Sequence, residues 1–185
     1  RKEFLRELQL SETLTESEQE KKYSDLLDSL KMAPYGRPSM ETIFHVLLPQ
    51  KWVLHFHSLA ALLMGHESQQ NPLKWKAWAQ KNISPTLAIL PVLRPGLLLG
   101  RALSQFENAS ILLLKNHGVV LQGEDESILN TWSEIEESFL KEWSYLEILN
   151  FKNSNDEQKS RLNAGAGKLK VYFPDTAVFY DKLSS

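Results

Sequence analysis

The sequence predicts an α/β domain in which helices cover a sheet. Helical and strand patterns alternate along the chain, which is the signature of that layered class. An apolar share of 42% against 24% charged residues is an ordinary globular balance. A length of 185 residues suits one domain with a sizeable core. The net charge of -2 gives no electrostatic footprint for nucleic acid or acidic membranes. Cysteine is absent, which excludes disulfides, thiolate nucleophiles and cysteine metal sites, so any metal must be held by the five histidines and by carboxylates. No stretch reaches the roughly 18 apolar residues of a membrane span. The opening run Arg1–Leu8 is charged, so no signal peptide is expected, and a start at Arg1 rather than Met fits a missing natural N-terminus. The expectation is a soluble, cytoplasmic domain with neither a nucleic-acid nor a membrane partner.

Residues 1–31 read as charged helix, broken once at Ser11-Glu12-Thr13, with a second helical stretch near Glu18–Leu30 ending before the turn cluster Ala33-Pro34-Tyr35-Gly36. Ser39 precedes Met40, Ile43, Phe44 and Leu47 at helical spacing, which makes it a candidate N-cap, and Pro49 stops that helix. In Lys51–Ser58, Trp52, Leu54 and Phe56 alternate with Val53, His55 and His57, a strand pattern. A short apolar helix follows at Leu59–Met64, then an amphipathic segment carrying Trp75 and Trp78. Thr86–Val92 reads as a strand, and Arg94-Pro95-Gly96 introduces a helix to about Gln105. Ile111–Lys115 and Val119–Gln122 read as paired strands around the turn Asn116-His117-Gly118. The strongest helix runs from Asp125 to Asn150, with Ile128, Trp132, Ile135, Phe139 and Trp143 on one stripe. Asn153–Ser160 is polar and loop-like, and Lys168–Phe173 and Thr176–Tyr180 read as short closing strands.

Histidines at i and i+2 on a strand project from one face, so His55 and His57 stand a few ångströms apart. His117 lies in the turn between two later strands. Three neutral imidazoles with one open position describe a catalytic zinc site, although cobalt, nickel or iron also suits nitrogen ligands. A His-x-His pair on a strand is by itself more commonly a surface or buried polar pair, and spacing alone does not decide between the two. Glu41, on the helix just before that strand, adds a carboxylate of the kind that proton transfer beside a carbonyl requires. Its presence is also explained as a first-turn acid favoured by the helix dipole. His45, four residues on, is expected to pack near the site, and His66 to be a solvated loop residue. Arg94 is read as a capping residue or an anion contact. The tryptophans and Phe139 are expected to fill the core or subunit contacts.

These residues carry a resemblance. Pro38-Ser39-Met40-Glu41-Thr42 with His45, then His55-Phe56-His57, then Leu114-Lys115-Asn116-His117-Gly118-Val119-Val120 is similar in order and spacing to the class II aldolase/adducin family. The similarity runs from about Arg37 to Leu149, and the opening at Arg37 most resembles the aldolase part of bifunctional rhamnulose-phosphate aldolase/dehydrogenases. The resemblance implies a three-layer α/β/α sandwich with a largely antiparallel central sheet, assembled as a homotetramer. It implies a divalent metal, usually zinc, bound through His55, His57 and His117, with Glu41 as the acid/base and Ser39 holding a substrate phosphate. It implies retro-aldol cleavage of a small sugar or sugar phosphate through a metal-stabilised enediolate. An epimerase or dehydratase on the same scaffold, and a non-catalytic adducin-like interaction domain, are the alternatives. Tyr180 is the next candidate for the proton carrier should Glu41 not serve. Family members normally carry a glycine-rich phosphate-binding turn before this region, and Arg1–Tyr35 has none. Met40 also stands where some aldolases carry a second serine. The chain is therefore expected to be one domain over residues 1–185, either lacking its N-terminal segment or diverged there, with phosphorylation of the substrate left open.

Overall fold

Four strands assemble in the order β1–β4–β3–β2, in a computed structural model that describes residues 13–30 and 38–144. Along the chain the elements are α1 (Glu16–Leu30), α2 (Thr42–Leu47), β1 (Trp52–Phe56), α3 (Leu59–Gln70), α4 (Pro72–Asn82), β2 (Leu87–Leu90), α5 (Leu97–Ser104), β3 (Ile111–Leu114), β4 (Gly118–Gly123) and α6 (Ser127–Glu142). The turn cluster at 33–36, the polar segment Asn153–Ser160, the strands expected at Lys168–Phe173 and Thr176–Tyr180, and Tyr180 itself lie outside the described residues.

β1 pairs antiparallel with β4, with His55 opposite Val120, and β4 pairs antiparallel with β3, with Leu114 opposite Gly118. β2 pairs parallel with β3. The sheet is therefore mixed rather than largely antiparallel. The reason is the connection: α5 lies between β2 and β3, and a helical crossover returns the chain to the same end of the sheet, whereas a tight turn reverses it.

Side chains alternate across the sheet and build two cores. Leu112, Leu114, Val120, Ala88 and Leu90 face α1, α2 and α5, where Tyr23, Leu27, Ile43, Phe44, Leu99 and Leu103 are buried. Ile111, Leu113, Val119 and Leu121 face α3, α4 and α6. Helices on both faces of one sheet make the expected three layers. The α6 stripe Ile128, Trp132, Ile135 and Phe139 is buried, and Phe139 stacks on Trp143 with ring centroids 4.6 Å apart. Trp75 and Trp78 are buried against Phe139 as well, so these aromatics fill the chain's own core without a partner subunit.

Local chemistry sets the element ends. Thr15 and Glu18 form a capping box at α1: the Glu18 N–H donates to the Thr15 hydroxyl at 3.4 Å and the Thr15 N–H to the Glu18 carboxylate at 2.9 Å. Ser58 caps α3 by accepting the Ala61 N–H at 3.2 Å. That helix continues to Gln70, beyond the expected Met64, which puts His66 on a half-buried helical position rather than in a loop. α6 ends at Glu142, short of Asn150, with Ser144 in the left-handed region at φ 56°. Arg94 is exposed and pairs with Glu16 of α1. Among the described residues no helix is long and apolar enough to cross a membrane.

α5 packs tightly on α2 because Gly100 has no side chain: a Cβ there would stand 2.6 Å from Cγ2 of Ile43, a fully buried β-branched residue. Gly100→Ala is expected to destabilise the fold by about 1–3 kcal/mol, as overpacking does. Equilibrium urea unfolding checks it, and an unchanged midpoint would refute this account of the contact.

Candidate metal centre

The end of β1 and the start of β4 meet where the sheet needs a residue without a side chain. A Cβ on Gly118 would lie 2.6 Å from the Phe56 carbonyl oxygen and 3.1 Å from Cα of His57. The turn before Gly118 is closed by the His117 N–H on the Leu114 carbonyl at 3.0 Å, with Asn116 at φ 58°, a conformation that Asn and Gly tolerate best. His117 thereby stands beside the end of β1, which delivers His55 and, one residue beyond the strand, His57.

The three imidazoles converge. Ring centroids lie 5.1 Å apart for His55 and His57, 5.1 Å for His55 and His117, and 4.8 Å for His57 and His117. Glu41 completes the group, and one ligand atom from each of the four residues lies within 4.8 Å of every other. Its carboxylate bridges two rings, with Oε1 2.8 Å from Nε2 of His117 and Oε2 3.2 Å from Nε2 of His55. The hydrogen bond from His117, and then the His55 ring beside it, hold the Glu41 carboxyl well below the usual carboxylate range, so it is ionised. Of the sequence candidates, His45 is exposed and stands outside the cluster.

The donor set fits a divalent cation. Nδ1 of His55 lies 2.9 Å from the Val119 carbonyl, which only accepts, so that nitrogen carries the proton and Nε2 presents its lone pair. Nε2 is buried, makes no hydrogen bond, and faces a carboxylate oxygen. Two acceptors facing each other call for a cation between them, either a proton or a metal ion. Nδ1 of His117 is likewise buried without a hydrogen-bond partner. Three histidine nitrogens with a carboxylate beside them make a donor set that suits zinc with one position left open.

Ser39 is not the helix cap that its spacing suggests. The N-cap position is Glu41, because the chain first makes a turn in which the Thr42 N–H bonds the Ser39 carbonyl at 3.0 Å. The exposed Ser39 hydroxyl accepts the Glu41 N–H at 3.2 Å, a side-chain turn two residues long. A residue missing from the sequence reading holds this turn from the far side. Tyr23 of α1, 2% exposed, donates its hydroxyl to the Met40 carbonyl at 2.6 Å and accepts the Ile43 N–H at 3.1 Å. The apolar neighbours of Tyr23 on α1 signal that it packs, but nothing in the sequence names the backbone it meets.

The profile described as the Class II Aldolase and Adducin N-terminal domain matches residues 12–138. The chain belongs to the class II aldolase/adducin family. It is similar in structure to the N-terminal class II aldolase domain of a conserved protein from Thermoplasma acidophilum, with 20% identity over 74% of this chain and 63% of that one, and a TM-score of 0.55. That likeness shows the fold. Structures of YgbL from Klebsiella pneumoniae and Escherichia coli, for which an aldolase, epimerase or decarboxylase role has been suggested, match 68% of this chain and 66% of theirs at 20% and 21% identity, with TM-scores of 0.44 and 0.43. The chain spans less than two thirds of the length of each of these structures. No curated protein matches it.

Burial pushes the Tyr23 phenol up to about 12. A folded value raised above the unfolded one, near 10, gives stability that is fully present below about pH 10 and lost as pH rises through about 12. Tyrosinate absorbance should therefore show one tyrosine ionising near pH 12, and Tyr23→Phe should remove that step. Titration of every tyrosine near pH 10 would contradict the burial.

Proposed function

We propose that the chain is a divalent-metal-dependent carbon–carbon lyase that splits a small ketose, or its phosphate, by a retro-aldol reaction. The observation that carries this reading is the convergence of Glu41, His55, His57 and His117 on one point at the end of the sheet. Family membership supports the reaction class. His55, His57 and His117 are the residues that would hold the ion, zinc being the proposed one. Once bound, such an ion supplies Lewis acidity for charge developing on a carbonyl oxygen, so no Schiff-base lysine is required.

The remaining work falls to the protein's own side chains. The Val119 carbonyl fixes the tautomer and plane of His55, so Nε2 points inward without further ordering. The ionised Glu41 carboxylate is poised to accept a proton from the hydroxyl on the carbon that leaves as an aldehyde. The carbon–carbon bond pair stays with the carbonyl fragment, and the carboxyl, now neutral, returns its proton to that fragment's carbon. Ser39, two residues from Glu41 and exposed, is the proposed contact for a substrate phosphate. The proposed assembly is a homotetramer.

Two variants separate the roles. Glu41→Gln keeps size and position but removes the proton acceptor, so turnover of ketose phosphates into aldehyde should fall about 10²–10⁴-fold with metal content little changed. His57→Ala should lose both metal and activity. Metal analysis with an aldehyde-release assay reads both. Cleavage by Glu41→Gln at the parent rate would remove Glu41 from the chemistry, and full metal retention by His57→Ala would remove the site. Recovery of an isomerised sugar with its carbon skeleton intact would replace cleavage with epimerisation.

A further inference from the structure

Glu41 occupies two positions whose demands conflict. As the N-cap of α2 its side chain would ordinarily turn back to accept one of the first free N–H groups of the helix. Instead the carboxylate points away, onto His55 and His117, and makes no cap hydrogen bond. The helix has only six residues, so an unmet N–H in its first turn is a large share of its hydrogen bonding. The Phe44 N–H is satisfied by the Glu41 carbonyl at 3.0 Å. The Ile43 N–H, the natural target of a capping side chain, is buried with its partner and goes to the Tyr23 hydroxyl at 3.1 Å.

We propose that Tyr23 is a positioning residue for Glu41: its hydroxyl takes over the capping of α2 and so releases the Glu41 carboxylate to the histidines. The same hydroxyl donates to the Met40 carbonyl, so it grips the backbone on both sides of Glu41. Its ring is packed in the core between α1, α2 and the sheet, which makes the grip stiff. Ser39 adds a third tether through the Glu41 N–H, but from an exposed position. Without the Tyr23 hydroxyl the Ile43 N–H would be a buried donor lacking a partner, and the nearest ionised acceptor on the same turn is the Glu41 carboxylate. A buried unmet donor is costly enough to draw that carboxylate away from the imidazoles.

This inference rests on the reading of Glu41 as the proton carrier, and its test leaves that reading independently decidable. The measurement is made on the full chain, free of metal, by NMR. Tyr23→Phe keeps the ring in the core and removes only the hydroxyl. Exchange of the Ile43 amide is expected to accelerate about tenfold, the effect of losing one hydrogen bond. The ¹⁵N resonances of the His117 ring should move from their parent positions toward those of Glu41→Gln. Adding Tyr23→Phe to Glu41→Gln should move them no further, because no carboxylate remains to be drawn away. Leu27→Ala, one turn along α1 in the same core, weakens packing without removing any hydrogen bond to the turn and should leave the His117 resonances in place. Unchanged His117 resonances in Tyr23→Phe would overturn the proposal and reduce the hydroxyl to a core staple. A shift of equal size in Leu27→Ala would overturn it too. Failure of the functional reading shows elsewhere, as aldehyde release by Glu41→Gln at the parent rate.

Discussion

Gly118 leaves a gap where a Cβ would be, and the Phe56 carbonyl and His57 backbone fill it. That approach joins the last residues of β1 to the first of β4, and the centre depends on it. Antiparallel pairing brings the strand carrying His55 and His57 beside the turn carrying His117. Residues far apart in sequence thus share one end of the sheet because of main-chain geometry, before any side chain chooses a rotamer. The centre is in this sense a product of strand pairing, with the rings as its readout.

Electrostatics then constrain what the end of the sheet can hold. Once Val119 claims the Nδ1 proton, His55 turns a bare lone pair toward Glu41. The carboxylate is stabilised as an anion by the imidazoles around it. Such an arrangement holds together when a cation shares the space, and the donors around it come from three separate segments: the start of α2, the end of β1 and the turn before β4. The contact between α1 and the 39–43 turn extends this constraint outward, since the segment that carries Glu41 is anchored on Tyr23 from the core side as well as on its own Ser39.

Much of this was legible in the sequence. Period-two alternation placed His55 and His57 on one face, and the stripe Ile128, Trp132, Ile135 and Phe139 found the long helix and its buried side. The Asn116-His117-Gly118 turn was legible too, because few residues accept a positive φ and Asn116 takes one. Other features depended on partners distant in sequence. Ser39 has the composition of a cap, yet the chain makes one more turn before the helix, and no local rule fixes that offset. The parallel pairing of β2 followed from the crossover through α5, which the sequence pattern contained but a family-wide expectation of antiparallel strands obscured. His66 was displaced from loop to helix by six further residues of α3 whose polar character hid their periodicity. Gly118 reads as a turn residue in the sequence, and only the β1 backbone beside it shows that the space itself is required.

The central claim is that the imidazoles of His55, His57 and His117 share one cation. Anomalous diffraction at the zinc edge, from crystals grown with stoichiometric zinc, addresses it most directly. The account predicts a single peak about 2.0–2.1 Å from one nitrogen of each of the three histidines. A peak bound elsewhere, or three ordered rings around no peak at all, would contradict it.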